Sequence, residues 1–502
     1  MTSTRKGAGL ALLTLELGVW RAWGQDGIVA CGILKSSIAD GETLELGSDI
    51  TCSEEISIDE GVEVTIDGAG YTLSIDADLL YEEEGTNAVI YNKGSLTLTS
   101  LTITVADDTA DNKFRAIYNE GDLTVNSCFF DGLNLGTDPL DYGGVIYSES
   151  TGGTVSIESS EFTSNGCSLK GGAIHAAADE QLTITDCEFS DNEAGTTGEE
   201  NASGGDVYAA DGVTLVVQSS NFRGSAAEYG GAAIHCCGAT ITNSRFIDAE
   251  SGSVGNEHYG GAILVGLPGV GCTQELEMTN STFTSCSVQQ TSGGAGGSLA
   301  VFDTTATLDD VTIDYSQGSA VLFQSSDADG SHAIIMSSME FQYNTNPSAE
   351  YASNSLEQGS AFVLQNTAAE DESVMMGSFD AVYCYSNDPY ECEMVFDLAG
   401  VTYTGDIKCQ ICNIDSERLW VGLDENSTAD GSGDTEDSSS SGSSDSNEVG
   451  FQRGSDSNEG IVISLSLALG LTLIVIGALA VWKIRAHTNT RLTLRNVNTR
   501  YY

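Results

Sequence analysis

Asp309 and Asp310 form a paired acid inside a β-like repeat. Two carboxylates at a suitable separation act as acid and base on a glycosidic bond. The chain carries 74 Asp and Glu, so such a pair is expected by chance. Lyase chemistry would need Arg or Lys over a carboxylate-bound calcium ion. Lys170, Arg223 and Arg245 are the only basic residues between 116 and 407, and no acidic constellation is fixed around them by spacing.

A second set of residues points to binding. Tyr91, Tyr118, Tyr147, His175, Tyr208 and His235 each follow an aliphatic residue in a recurring phrase. If the aliphatic residue points inward on a strand, the next one points outward. Six successive rungs would then display stacked rings. Such a column could be a flat platform for sugar rings or a partner protein. The plainer alternative is a self-stacking ladder that only stiffens the structure. Histidines there would titrate near pH 6.5 in water. They are too few for a metal site, and no cofactor is expected.

Cysteine supplies a third set. Cys384, Cys392, Cys409 and Cys412 cluster near the end of the patterned region, the last two as CQIC. A CxxC can be redox-active or part of a zinc site. Outside the cell a structural disulfide cluster is the expectation, because that compartment is oxidising. Cys31 and Cys52 would tie the opposite end, where strand edges are otherwise open. The total of 13 cysteines is odd, so at least one thiol stays free or pairs between chains.

These residues need a scaffold, and the sequence repeats one. A Gly-Gly phrase appears as GGVIYSES (143–150), GGAIHAAA (171–178), GGDVYAAD (204–211), GGAAIHCCG (230–238), GGAILVG (260–266) and GGSLAVFD (296–303). A second phrase aligns on Ile103, Phe130, Phe162, Phe189, Phe222, Phe246, Phe283 and Ile313. Their spacing falls in the range of stacked repeat folds. Each phrase alternates apolar and polar residues, as a strand with one buried face does. Gly, Asn, Asp and Ser separate the strands as turn residues. The fold class is therefore all-β: a parallel β-helix over 25–366, with Ile90, Ile117, Ile146, Ile174, Val207, Ile234 and Ile263 as one inward column. Cys128 and Cys187 share a column two coils apart, about 10 Å, beyond disulfide reach.

The phrases GGAI at 171–174 and 260–263, with FTSN (162–165), FSDN (189–192) and FQYN (341–344), resemble the GGAI/FxxN repeats of chlamydial polymorphic outer-membrane proteins. More broadly they are similar to right-handed β-helix proteins of the pectate-lyase-like superfamily. The resemblance covers about 85–366 and implies a right-handed coil and adhesion or surface interaction. The chlamydial proteins end in a membrane β-barrel, whereas this chain ends in one apolar stretch. Hydrolases of the superfamily use clustered Asp with a glycine-flanked histidine and a basic motif. No NTD, GHG or RIK occurs in the body here. An enzyme is not the expectation; the alternative is a membrane-tethered polysaccharide lyase or glycoside hydrolase.

The ends set location. Residues 1–24 have a basic start and an apolar run, like a secretory signal. Residues 367–422 lose the repeat frame and form a cysteine-containing cap. Residues 423–460 are Ser, Gly, Asp and Glu, a stalk that cannot bury enough surface to fold. Residues 461–482 carry no charge and are long enough to span a bilayer as a helix. Residues 483–502 carry five bases and no acid, which places them in the cytoplasm. The expectation is a type I single-pass cell-surface protein whose large extracellular part displays an acidic β-helix for adhesion, recognition or surface-coat structure. Asn201, Asn280 and Asn426 open sequons on the glycosylated side.

Of 18 Lys and Arg, three lie in the first 25 residues and five in the last 20, so ten face 73 acids in between. Such a body repels nucleic acid. The expected partners are an extracellular glycan or protein and the membrane that holds the anchor.

Overall fold

In a computed structural model, the stretches 27–80, 87–106, 114–134, 142–177, 179–195, 202–252, 258–270, 272–288, 296–325, 332–344, 362–366, 375–385, 394–397 and 401–409 are described, the last three as backbone alone. The expected signal, stalk, span and tail, with Cys392, Cys412, Asn201 and Asn426, lie outside the described residues. Among the described residues no helix is long and apolar enough to cross a membrane.

The described strands form sheets of 22, 12 and 5 strands, and every strand pairs in parallel with its equivalent one coil on. This is a parallel β-helix. The Phe column is in register from Ile103 through Phe130, Phe162, Phe189, Phe222, Phe246 and Phe283 to Ile313. All eight side chains are fully buried. The six rings stack with centroids 4.8–5.0 Å apart and planes within 18°. That spacing is the strand-to-strand repeat itself, so one rung of backbone delivers one rung of core. The Ile column behaves likewise in the 12-stranded sheet, from Ile90 to Ile263.

Two corners of each coil use left-handed backbone. One is the residue before the Phe strand: Ser127, Ser159, Asp186, Ser219, Asn243 and Asn280 have φ of 48–54°. Short polar side chains tolerate this region better than bulky ones. Beside it runs a column in which Ser160, Ser220, Ser244 and Ser281 each accept the backbone N–H of the preceding coil. Cys128 and Cys187 sit in that same column as free, buried thiols. Asp310 is also a corner residue (φ 54°), and Asp309 accepts a hydrogen bond from Ser337 Oγ at 2.5 Å. The coil geometry thus accounts for the paired acid.

Gly-Gly serves the other side of the coil. The first glycine has positive φ: 63° at Gly143, 71° at Gly171, 67° at Gly204 and 60° at Gly260. The second is pressed against the next coil. A Cβ on Gly172 would lie 2.1 Å from the Gly205 carbonyl oxygen.

The solenoid differs from expectation at both ends. A seven-residue helix, Cys31–Ser37, packs on the first strands with Leu34 fully buried. The Cys31–Cys52 disulfide, expected at this end, holds the helix there. At the other end the strands do not stop at 366. Met375–Tyr385, Met394–Asp397 and Val401–Cys409 continue the parallel pairing. Cys384 and Cys409 therefore fall on successive rungs of the Phe column, in register with Phe341. The repeat frame is hard to read in sequence there because the column position changes from phenylalanine to cysteine.

Candidate binding face

The ring column lies on the outer side of the 12-stranded sheet. Tyr91, Tyr118, Tyr147, His175, Tyr208 and His235 are paired rung by rung. Successive ring centroids are 5.5, 5.1, 5.2, 4.8 and 5.0 Å apart. The rings from Tyr147 to Tyr208 are stacked within 22°, while Tyr91–Tyr118 and Tyr208–His235 meet edge to face.

The column is not uniformly open, as a simple outward platform would be. Tyr118, Tyr147 and Tyr208 are half-buried, but Tyr91, His175 and His235 are buried at 3%, 6% and 5% exposure. Lys93 covers the Tyr91 ring from 4.3 Å, and the Tyr142 ring lies 4.8 Å from His175. Beyond His235 the rung is Leu264, and the outer face becomes apolar: Leu264, Ala300, Phe302 and Leu322 pack with Tyr229, Tyr259 and Leu267. A Cys237–Cys272 disulfide staples the segment carrying Leu267 beside this patch. The polar ladder therefore has a built end.

Burial decides the protonation of the histidines. Desolvation pushes His175 and His235 down to about 3, with the Lys170 charge acting in the same direction. They do not titrate near 6.5 and cannot switch at neutral pH. His175 Nδ1 faces the Lys170 carbonyl at 3.2 Å and His235 Nδ1 faces Ser203 Oγ at 2.7 Å.

The charged partners follow a spacing that sequence reading passed over. Glu120 and Glu149 stand two residues after Tyr118 and Tyr147, on the same strand side. Tyr91 donates to Glu120 (2.8 Å); Tyr118 and Tyr147 both donate to Glu149 (2.5 and 3.2 Å). Desolvation first, and these carboxylates second, raise the phenols: Tyr91 and Tyr147 to about 12, Tyr118 further. All three remain hydroxyl donors at any physiological pH.

Bases complete the face. Arg115 lies over Tyr147 at 5.0 Å and Tyr118 at 5.8 Å. Lys170 Nζ donates to Tyr208 Oη at 3.0 Å and lies 4.3 Å from that ring's centroid. Cations over aromatic faces are attracted by the ring quadrupole. The column combines flat rings, hydroxyl donors, carboxylate acceptors and cations within five coils. Chemically it can hold a polar ligand with apolar faces. Among the described residues no group of three or more His, Cys, Asp and Glu is placed to hold a metal.

The other sites fall elsewhere. Asn280 is an exposed corner residue, its Nδ2 donating to Asn243 Oδ1 at 2.6 Å. Cys237–Cys272 had a signal in sequence: adjacent cysteines on a strand point to opposite faces. Cys236 is buried as a free thiol, while Cys237 is available outside.

No protein-family model matches the chain, and no curated protein matches it significantly. Among solved structures it is similar to a periplasmic alginate epimerase, at 9% identity and a TM-score of 0.28, covering 76% of this chain and 83% of that one. Two substituted forms of that epimerase match at 10% identity and TM-scores of 0.26. Likeness at this level carries no argument about activity, and the fold assignment rests on the strand pairing.

Proposed function

We propose that this is a type I single-pass cell-surface protein whose β-helix presents the ring column to an extracellular glycan. The coil winds right-handed, the stretch 461–482 anchors it, and 423–460 lifts it from the bilayer. The reading is supported above all by the placement of charge. Only ten bases lie in the body of the chain, and three of them, Lys93, Arg115 and Lys170, stand on this one column. Stiffening the coil would not need them. Half-exposed rings at the strand repeat match a sugar chain in two ways: apolar pyranose faces meet the rings, and hydroxyls meet Glu120, Glu149 and the phenols.

The test is a glycan array and a pull-down with the full-length chain in detergent. Saturable binding without cleavage is expected. The triple variant Tyr118→Ala, Tyr147→Ala, Tyr208→Ala should then lose roughly tenfold or more in affinity, since each stacked ring contributes about 1 kcal/mol. Unchanged affinity in a folded triple variant removes the ring column from the function. Release of shortened saccharides would favour the tethered polysaccharide enzyme instead. Capture of a protein alone would keep the surface role and change the ligand.

A further inference from the structure

A second aromatic pair stands far from the column. In the corner that follows each Phe strand, one residue adopts left-handed backbone: Gly132, Ser164, Asp191, Gly224, Asp248 and Ser285 in successive coils. The next two coils place Tyr315 and Tyr343 there, at φ of 56° and 52°. Bulky residues are rare in this region, and nothing in the coil requires a ring, because six earlier coils close the same corner with Gly, Ser or Asp. The rings stack on each other at 5.0 Å and 12°, yet remain 53% and 45% exposed. The one other described aromatic residue so exposed is Tyr71, at 38%.

The neighbouring outer face is acidic. Asp314 pairs in register with Gln342, and Thr312 with Glu340. Gln342 Nε2 donates to Glu340 Oε1 at 2.6 Å. Asp314 Oδ1 is covered and has no hydrogen-bond partner among the described residues. Burial, then the Glu340 charge, raises the Asp314 carboxyl. The like charge of the neighbouring Glu340 favours an incoming cation. The surrounding body, with its large excess of acids, disfavours an anion.

We propose that Tyr315, Tyr343 and Asp314 form a docking site for an arginine side chain of a basic protein partner. A guanidinium suits the geometry better than an ammonium. It is planar, so it can lie on an exposed tyrosine face while its charge is drawn by the adjacent acidic strand positions Asp314 and Glu340. A neutral sugar could use the rings but would leave the paired acids uncompensated.

The experiment compares fluorescent hexa-arginine, hexa-lysine and a neutral oligosaccharide on the full-length chain at physiological salt. The double variant Tyr315→Ser, Tyr343→Ser puts in each corner the residue that Ser164 and Ser285 already supply, so its thermal midpoint should hold or rise. We expect hexa-arginine affinity to fall roughly tenfold in the double variant, as loss of cation–ring contact implies. Hexa-lysine affinity should change less than twofold. The single variant Asp314→Asn should also weaken hexa-arginine and leave the fold intact. Equal loss for the two peptides, or none, overturns the proposal by reducing the site to general attraction. Loss confined to the oligosaccharide overturns it in favour of a sugar platform.

Discussion

Gly172→Val should destabilise the protein by more than about 4 kcal/mol, whereas Gly32→Val should stay within about 0.5 kcal/mol. Neither glycine has a positive φ, so the contrast isolates packing from backbone conformation. A Cβ at 172 would meet the Gly205 oxygen at 2.1 Å and the Glu193 oxygen at 2.5 Å, both backbone atoms of neighbouring rungs. Gly144 and Gly261 show the same approach, to the oxygens of Gly172 and Gly297 at 2.2 and 2.0 Å. Backbone cannot swing aside as a side chain can, so the rungs must separate and lose ladder hydrogen bonds on both sides. At Gly32, on the exposed side of the end helix, nothing lies within 4 Å. Losing a helical glycine even offsets the poorer helix propensity of valine. The chain supplies its own comparison: Ala232 occupies the second position of one phrase. There the pairing shifts, with Gly231 donating to the carbonyls of both Tyr259 (3.2 Å) and Gly260 (2.7 Å). Urea midpoints of the three full-length proteins decide the matter. Equal losses at 172 and 32 would mean that the second glycine is not an inter-coil contact.

The architecture was legible because its causes are local and repeated. Alternation fixed which residues point inward, and the common column of Phe and Ile fixed the register. Ring stacking at one strand repeat follows from those two facts. The binding face was legible only in part. The order of its rings can be read from the strands, but the burial of His175 cannot, since it depends on Tyr142 arriving from another part of the coil. The histidines show the consequence: their type suggests titration, and their burial removes it. Cys384 and Cys409 stand beyond the legible repeat because the column position changes residue type at that end. The Tyr315–Tyr343 pair was hidden because the left-handed corner is a backbone property with no composition of its own.

Departures from the repeat prove to be coupled. The FxxN asparagine is buried: Asn192 Oδ1 accepts from the Asn165 backbone and side chain. Where the next coil has Ser225 instead, its Gly-Gly phrase continues with Asp206 rather than alanine. Asn192 Nδ2 donates to Asp206 Oδ1 at 2.8 Å, and Ser225 Oγ hydrogen-bonds Oδ2. The same exchange recurs later, with Ser298 Oγ 2.9 Å from Ser316 Oγ. A lost side-chain amide is thus replaced from the facing strand, as a buried polar network must be if it is to stay satisfied.

That substitution carries a pH signature. Asp206 is fully buried, and desolvation raises its carboxyl to about 8, the two hydrogen bonds opposing only in part. The folded state therefore holds a proton that the unfolded chain, near 3.8, has released. Where the folded state binds more protons, stability falls as pH rises. The contribution is complete below about pH 4, declines through the interval up to about 8, and is gone above it. Glu180, raised by burial to about 7, acts in the same sense over 4.5–7. His175 and His235, lowered to about 3, act oppositely: they stabilise above 6.5 and lose that contribution as pH falls toward 3. From these four groups, stability should be nearly level between about pH 4.5 and 6.5 and fall on either side. Between pH 6.5 and 8.5 the loss owed to Asp206 alone is about 2 kcal/mol. Asp206→Asn keeps the shape and the hydrogen bonds of the protonated acid while removing the proton. It should match the parent only below about pH 4, exceed it by about 4 kcal/mol at pH 6.5 and by about 6 kcal/mol at pH 8.5. Urea midpoints at both pH values measure this directly. Parallel declines in parent and variant would show that Asp206 does not hold its proton in the folded coil, and that the Asn192–Asp206–Ser225 network is built around a charge instead.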